Sequence, residues 1–522
     1  MTVITGARTL WEMLERRVAE SGDARFVFDD KGRSLTFREF RDAAARVAAG
    51  LRAMGVGEST PVSWQLPTRI DTVLLSFALC RLGAQQNPII HLYRGRELSF
   101  AVKQTGARFL AIPGEFRGFD FRELAESATA DAAQPPQIVD LSLGLPDGDP
   151  SALPPPPTPE AGKGEDAPVR WIYYTSGSTA DPKGVQHTDE TLIAGGYGLA
   201  VALDPSPDDV GSIAFPYAHI GGPDYIVMTL AHGFSVALIE QFVPAETIPF
   251  LASVGCTISG GGAAFYTMLL AEQRKRPGEP IIPTLRMLSG GGGPKPPELH
   301  YDVQREMGGR GVVHGYGMTE VPMIAQGSPH DTDEQLANTD GKPIVGIQVR
   351  LVTTDGRQAA AGEEGEVRLK GPMVFKGYTD PALDADAFDE EGWFRTGDLG
   401  RLREDGHLCL TGRLKDIIVR KGENVSAKEV EDLLYAHPKV AEVAVIGLPD
   451  PERGERVCAV VQAVDPTDPP TLPEIVEFCT SEGLMMQKIP EQLEVAAEFP
   501  RGGTGKINKR ALHDEYEAKP WP

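Results

Sequence analysis

Apolar positions recur at helical spacing over residues 8–20 and 36–54, the second run closing at Gly55-Val56-Gly57. Val62-Ser63-Trp64-Gln65-Leu66 then reads as a strand, and a helix over 71–82 leads into Gly83-Ala84-Gln85-Gln86-Asn87-Pro88. Strand and helix signals keep alternating, which predicts an α/β protein with a doubly wound layer. From about residue 341 the pattern turns to short alternating runs, at 349–352, 365–370 and 407–410, and these predict a small β-rich subdomain. After Gly412 the chain restarts as a compact α+β unit with strands at 417–419, 441–447, 456–462 and 492–496 and helices at 427–436, 472–482 and near 508–517. A boundary at 411–415 therefore divides an N-terminal domain, 1–411, from a C-terminal one, 412–522. No internal repeat is visible.

Composition narrows the function classes. At 522 residues, with 41% apolar and 24% charged residues, the chain is too long for one core and reads as an ordinary soluble multidomain protein. No window approaches eighteen uninterrupted apolar residues, and the N-terminal stretch lacks the basic-then-apolar order of a secretory signal, so the expectation is a cytoplasmic protein with no transmembrane segment. Five cysteines without metal-type spacing fit reduced structural thiols rather than a zinc site or disulfide frame. A net charge of −23 opposes a nucleic-acid surface. Basic residues nevertheless gather late, at Arg413, Lys415, Arg420, Lys421 and Lys428 and at Arg501, Lys506, Lys509 and Arg510, a distribution suited to small polyanionic ligands. Leu145 to Pro168, rich in Pro and Gly, reads as an exposed connector.

The strongest chemical signal follows that connector. Thr175-Ser176-Gly177-Ser178-Thr179-Ala180-Asp181-Pro182-Lys183-Gly184 comes directly after an apolar strand pattern. A strand that delivers a glycine-rich turn aims successive backbone N–H groups at phosphate oxygens, while hydroxyls add donors and a lysine adds charge. The loop is expected to grip ATP. It lacks the Walker spacing, and a Gly/Ser run standing alone is as readily a plain surface loop.

Further strings follow in order: Phe215-Pro216-Tyr217-Ala218-His219-Ile220-Gly221-Gly222, His314-Gly315-Tyr316-Gly317-Met318-Thr319-Glu320, Gly392 to Gly400, Gly412-Arg413-Leu414-Lys415-Asp416 and Pro500-Arg501-Gly502-Gly503-Thr504-Gly505-Lys506. Together they resemble the adenylate-forming superfamily of acyl-CoA synthetases, adenylation domains and luciferases. The resemblance implies a large N-terminal domain of two α/β layers plus a β-rich subdomain, and a small mobile C-terminal lid. It implies the reaction as well: ATP-dependent joining of a carboxylic acid to CoA through an acyl-adenylate, with release of pyrophosphate and AMP.

Residue by residue, the resemblance implies that Thr175, Ser176, Gly177, Ser178, Thr179 and Lys183 hold the β- and γ-phosphates. Glu320 would bind Mg²⁺ and Thr319 the α-phosphate. Tyr316, between Gly315 and Gly317, would offer adenine a flat face, with Gly291 and Gly292 at tight turns around it. Asp398 would accept the ribose hydroxyls, and Arg413 would contact ribose or phosphate. Lys506 would be the adenylation lysine and Lys415 the hinge, with Gly422 lining a thiol tunnel and Arg420 and Lys421 near the CoA phosphates. Val419 stands where relatives often carry a lysine, which leaves the thiol step less secured than adenylation.

His219 resembles an aromatic gate to the acid pocket. Gly221, Gly260 and Gly261 are expected to free volume in its walls, giving a wide apolar pocket for a medium- or long-chain, alicyclic, aromatic or polycyclic acid. Two other classes stay open. A free-standing aryl-acid or amino-acid activator would load a carrier protein; for an amino acid it would need a pocket carboxylate, for which Asp224 is the nearby candidate. A nucleotide or acyl-adenylate sensor would bind without turnover. A homodimer is a further open expectation.

Overall fold

The computed structural model describes residues 2–158, 167–175, 182–293, 295–420, 423–450, 454–502, 505–517 and 519. Contacts divide the chain into two compact units, one taking Met1–Gly177, Asp181–Gln348 and Lys370–Phe388, the other Val349–Leu369 and Asp389–Pro522. Residues 159–166 of the Pro-rich connector lie outside the described residues; its earlier part packs on the protein, where Arg46 pairs with Asp147 at 2.5 Å.

In the first unit the alternating signals become two sheets. One has nine strands, and its parallel centre runs through Val312–Met318, Met287–Gly291, Ile258–Gly260, Val210–Ile213, Ser235–Leu238 and Arg25–Asp29. The other has six strands, parallel except where Lys183–His187 turns back antiparallel on Trp171–Thr175. Strands such as Phe109–Ile112 and Ser235–Leu238 are buried at every position, because helices cover both faces of a parallel sheet. Helix Ile70–Leu82 is apolar nearly all round and correspondingly buried nearly all round.

Two helices decide where the site falls. Helix Asp189–Leu203 packs on helix Gly221–His232 so closely that a Cβ on Gly196 would stand 2.5 Å from Val227 Cβ and 2.8 Å from the Asp224 carbonyl. The fully buried Arg17 fixes the far end of the second helix, donating to the carbonyls of Leu230 at 2.8 Å and Ala231 at 2.6 Å, a cation satisfying the orphan acceptors of a helix C-terminus. Buried Asp189 accepts from Leu10 N at 3.1 Å and Trp171 Nε1 at 2.8 Å, joining the N-terminal helix to the strand ahead of the Gly/Ser loop.

The second unit holds the β-rich piece, a four-stranded sheet of Gln348–Val352, Gly365–Lys370, Phe394–Leu402 and Leu408–Arg413. Its C-terminal part is a five-stranded sheet built on the long pair Val440–Asp450 and Gly454–Ala463. Side chains alternate along those strands. Val443, Val445, Val457, Ala459 and Val461 pack with helices Ala427–Leu434 and Leu472–Ser481, whereas Ala444, Ile446, Leu448, Cys458 and Val460 pack with Leu512 and Tyr516 of helix Lys509–Glu517.

Because Val227 is a branched side chain on a rigid helix and the carbonyl beside it is backbone, a methyl at residue 196 has no soft neighbour to displace. Gly196→Ala is expected to destabilise the protein by about 1–3 kcal/mol, read as a lower urea midpoint with an unchanged slope.

Candidate active site

Ligands of parallel α/β sheets collect at the carboxyl ends of the strands, and that is where the sequence motifs fall. Phe215 to Gly222 follows strand Val210–Ile213, Gly260 ends strand Ile258–Gly260, Gly291 ends strand Met287–Gly291, and Tyr316 to Glu320 closes strand Val312–Met318. In register, Gly291 stands beside Gly315, and a Cβ on Gly291 would strike the Gly315 carbonyl. Gly292 takes a left-handed φ of 89°. Tyr316, 7% exposed, pairs across the hairpin with Ala325.

From the six-stranded sheet, Thr175 ends its strand and pairs directly with Lys183 on the returning strand, so the loop between them is pinned at both ends. Ser176, Gly177, Ser178 and Thr179 lie outside the described residues. The Lys183 ammonium sits 5.0 Å from the centroid of the Tyr378 ring. The Tyr378 hydroxyl donates to Glu320 Oε1 at 2.8 Å. Around this contact, Phe375 N donates to the Glu320 carbonyl at 2.9 Å, Gln186 N to the Gly377 carbonyl at 3.1 Å and Thr379 N to the Gly184 carbonyl at 2.7 Å. Segment 375–379 thus braces the loop hairpin against the turn that carries Glu320. Burial, with the Glu320 charge adding to it, pushes the Tyr378 phenol well above its ordinary pKa, so it remains a donor.

A second bridge runs through His187, which is fully buried. Its Nε2 lies 2.7 Å from the Thr319 carbonyl and its Nδ1 2.8 Å from Thr191 Oγ1. A carbonyl only accepts, so Nε2 carries the proton. Burial lowers the imidazole pKa to about 4, opposed by that carbonyl, so the ring is neutral and acts as a structural tie.

Thr319 also lines a narrow cavity of about 20 Å³ with Tyr173, Tyr174, Ala218, His219 and Ile220. His219 Nδ1 accepts from Gly221 N at 3.2 Å. The expectation that glycines hollow out a wide pocket is corrected here. A Cβ on Gly260 would meet the Tyr225 ring at 2.7 Å, one on Gly261 would run into the Phe265 ring, and one on Gly221 would make ordinary contact with His219 and Phe215 at 3.6 Å. Aromatic rings occupy the space that Gly260 and Gly261 leave.

In the second unit, Asp398 and Arg413 pair across adjacent strands, with Arg413 Nε donating to Asp398 Oδ1 at 2.8 Å. Lys506 lies in the field of the same pair. Its side chain keeps solvent contact, but protein packed around the ammonium lowers its pKa to about 8; Arg413 and then Lys415 add to the shift and Asp398 opposes it. Four residues separated by up to 108 positions in sequence (398 to 506) are thereby electrostatic neighbours. Arg420, expected near CoA, pairs with Glu491 at 2.5 Å, and Val419 is 48% exposed. Lys421 and Gly422 lie outside the described residues.

Three contributors escaped the sequence reading. Tyr378 is uncharged and 58 positions from the carboxylate it touches, His187 sits in no motif, and Tyr173 reads as a strand aromatic. None carries a local signal in the sequence.

Comparison with known proteins identifies the family. Residues 14–379 match the AMP-binding enzyme family, and residues 429–506 match the AMP-binding enzyme C-terminal domain. The chain is 30% identical to the medium-chain fatty-acid–CoA ligase of Escherichia coli K12, over 94% of this chain and 87% of that one. It is 30% identical to the 2,3-dihydroxybenzoate-AMP ligase of Bacillus subtilis 168, over 98% and 94%. The o-succinylbenzoate coenzyme A synthetase of Bacillus subtilis, solved in complex with ATP and magnesium ion, superimposes with a TM-score of 0.82 at 27% identity, covering 96% of this chain and 98% of that one. The large N-terminal and smaller C-terminal parts are those of adenylate-forming enzymes. This chain belongs to the AMP-binding enzyme family and is an acid-activating, adenylate-forming ligase.

Proposed function

We propose that the protein is an AMP-forming acid–CoA ligase. The observation that carries this reading is the junction of cavity and charge: Thr319 and His219 line one cavity, and the residue after Thr319, Glu320, is tied through Tyr378 to Lys183 of the Gly/Ser loop. An acid held in that cavity has its carboxylate beside a phosphate-binding hairpin.

In the first step the acid's carboxylate oxygen attacks the α-phosphate of ATP and pyrophosphate leaves. In the second, a thiol attacks the acyl-adenylate carbonyl and AMP leaves. Phosphoryl transfer of this kind depends on positioning and on charge neutralisation. Lys183 and the loop hydroxyls hold the β- and γ-phosphates, Thr319 donates to the α-phosphate, Tyr316 stacks adenine, and Asp398 receives the ribose hydroxyls. Lys506 supplies positive charge between the carboxylate and the α-phosphate. Residues 1–411 form the adenylation domain and 412–522 the lid, with Lys415 at the hinge.

A magnesium ion suits Glu320, a single hard oxygen donor of low exposure. Among the described residues no group of three or more His, Cys, Asp or Glu side chains could hold a metal unaided, so its remaining ligands would be phosphate oxygens and water. When bound it neutralises charge on the phosphates. Tyr378 leaves its mark here by fixing one Glu320 oxygen, which orients the other.

Tyr173, Tyr174, Ala218 and Ile220 in the cavity wall support an acid with an apolar skeleton. A second reading, transfer to a carrier protein, is favoured by exposed Val419 and by the engagement of Arg420 with Glu491. A screen of carboxylic acids by ATP–pyrophosphate exchange tests the first step, and AMP release stimulated by CoA tests the second; exchange with no CoA stimulation would favour the carrier, and no exchange with any acid would leave only a sensor.

Lys506→Ala is expected to slow adenylation about 100- to 1000-fold while a preformed acyl-adenylate still reacts with the thiol. The charged form of Lys506 is the working one, so kcat/KM for adenylation falls as pH rises through about 8, and Lys506→Arg moves that limb upward. Tyr378→Phe is expected to weaken MgATP binding about tenfold in calorimetric titrations without acid, while binding of ATP in the absence of divalent cation is unchanged.

A further inference from the structure

Lys506 is held where an isolated lysine would not rest. Protein packed around its ammonium strips water from it, and Arg413 and Lys415 repel it while Asp398 attracts it. Gly505, directly before it, takes a left-handed φ of 81° and lends the loop freedom rather than stiffness. The ammonium therefore stays beside Asp398 and Arg413 only if the chain on either side of it is fixed.

Both sides are fixed. Upstream, Arg501 pairs with Glu442 at 2.5 Å and donates to the Gly505 carbonyl at 2.9 Å, and Gly502 N donates to the Lys506 carbonyl at 2.8 Å. Asn508 N donates to the Pro500 carbonyl at 2.7 Å, closing a hairpin around the lysine. Downstream, the fastening is a buried ion pair. Lys509, three residues past Lys506 at the start of helix Lys509–Glu517, lies 2.7 Å from Oε1 of Glu431, a carboxylate 7% exposed on helix Ala427–Leu434. The same oxygen accepts from Val445 N at 2.7 Å, in the long strand Val440–Asp450. A buried ion pair is a weak source of stability, because desolvation offsets most of the attraction, but it demands good geometry. Here that geometry joins a helix, a core strand and the foot of the hairpin that carries Lys506.

We propose that Glu431 and Lys509 are positioning residues for Lys506, their ion pair acting through the short link between the two lysines to hold the Lys506 ammonium beside Asp398 and Arg413. This rests on the adenylation role proposed above for Lys506. Neither Glu431 nor Lys509 is a catalytic residue, and their effect on the reaction passes through Lys506 alone.

Competitive labelling of the full chain with acetic anhydride across pH, read by peptide mass spectrometry, measures the Lys506 pKa with no acid substrate present. The wild-type lysine is expected to titrate near 8. Glu431→Gln keeps an acceptor for Val445 N but loses the charge, and Lys509→Ala loses the partner. In both, the Lys506 value is expected to climb toward that of a free lysine as the ammonium regains water and leaves Arg413, whereas Lys509→Arg is expected to keep the wild-type value. Glu431→Gln and Lys509→Ala are also expected to lose about 10- to 100-fold in kcat for ATP–pyrophosphate exchange with octanoate, the KM for ATP changing less than about twofold. In a Lys506→Ala background, Glu431→Gln is expected to add nothing further, the signature of action through that lysine. An ordinary lysine pKa in the wild-type protein overturns the proposal whether or not the variants fold. So does an unmoved Lys506 value in folded Glu431→Gln and Lys509→Ala proteins, or a full additional loss in the double variant. Normal exchange by Lys506→Ala sinks the adenylation role itself, whereas an unmoved Lys506 value beside a defective Lys506→Ala sinks only the anchor.

Discussion

The hydrogen bond from Tyr378 to Glu320 is the contact on which the candidate site depends. In the proposed site a lysine for phosphate and a carboxylate for a hard cation must stand close enough to serve one nucleotide, yet left alone they would attract and neutralise each other. An aromatic ring between them solves this: its face attracts the Lys183 ammonium, while its hydroxyl donates to Glu320. The charges are held at a fixed spacing rather than collapsed into an ion pair. The backbone bonds from 375–379 to the loop hairpin and to the Glu320 turn make that spacing a property of the fold.

The second unit treats charge differently. Asp398 sits directly opposite Arg413 on antiparallel strands, and the field of that pair is felt by Lys506. A lysine with a lowered pKa next to an arginine would gain from a nearby anion, which is the part proposed for it. The segment from Pro500 to Lys506 is anchored by an isolated bridge between Arg501 and Ile507, which gives the lysine a base without burying its side chain.

Polar groups inside the first unit fall into two kinds. His187, Asp189 and Arg17 are buried but partnered, each tying together elements far apart in sequence. The Asp224 carboxyl and the Tyr173 hydroxyl are buried without partners among the described residues, and Tyr173 lines the cavity. The first kind ties distant elements of the scaffold together, and the second leaves polar capacity inside it. Aromatic side chains pack against Gly260 and Gly261.

Much of this was legible along the chain. Periodicity located the helices Leu10–Ser21, Phe37–Ala53 and Ile70–Leu82 and the strand and helix order after Gly412, because a buried face imposes its period on the residues that form it. Glycine, hydroxyl and charged motifs marked Thr175, Lys183, Glu320, Asp398, Arg413 and Lys506 as candidates, since residues proposed to meet phosphate and ribose need particular chemistry at a particular turn. Pairing between those motifs was not legible. Which ring would stand between Lys183 and Glu320, whether glycine at 260 would leave space or invite an aromatic neighbour, and whether Asp224 would find a partner all depend on side chains tens to hundreds of residues away. Local pattern records what one segment requires of its surroundings; only close packing in three dimensions determines which distant segment meets that requirement.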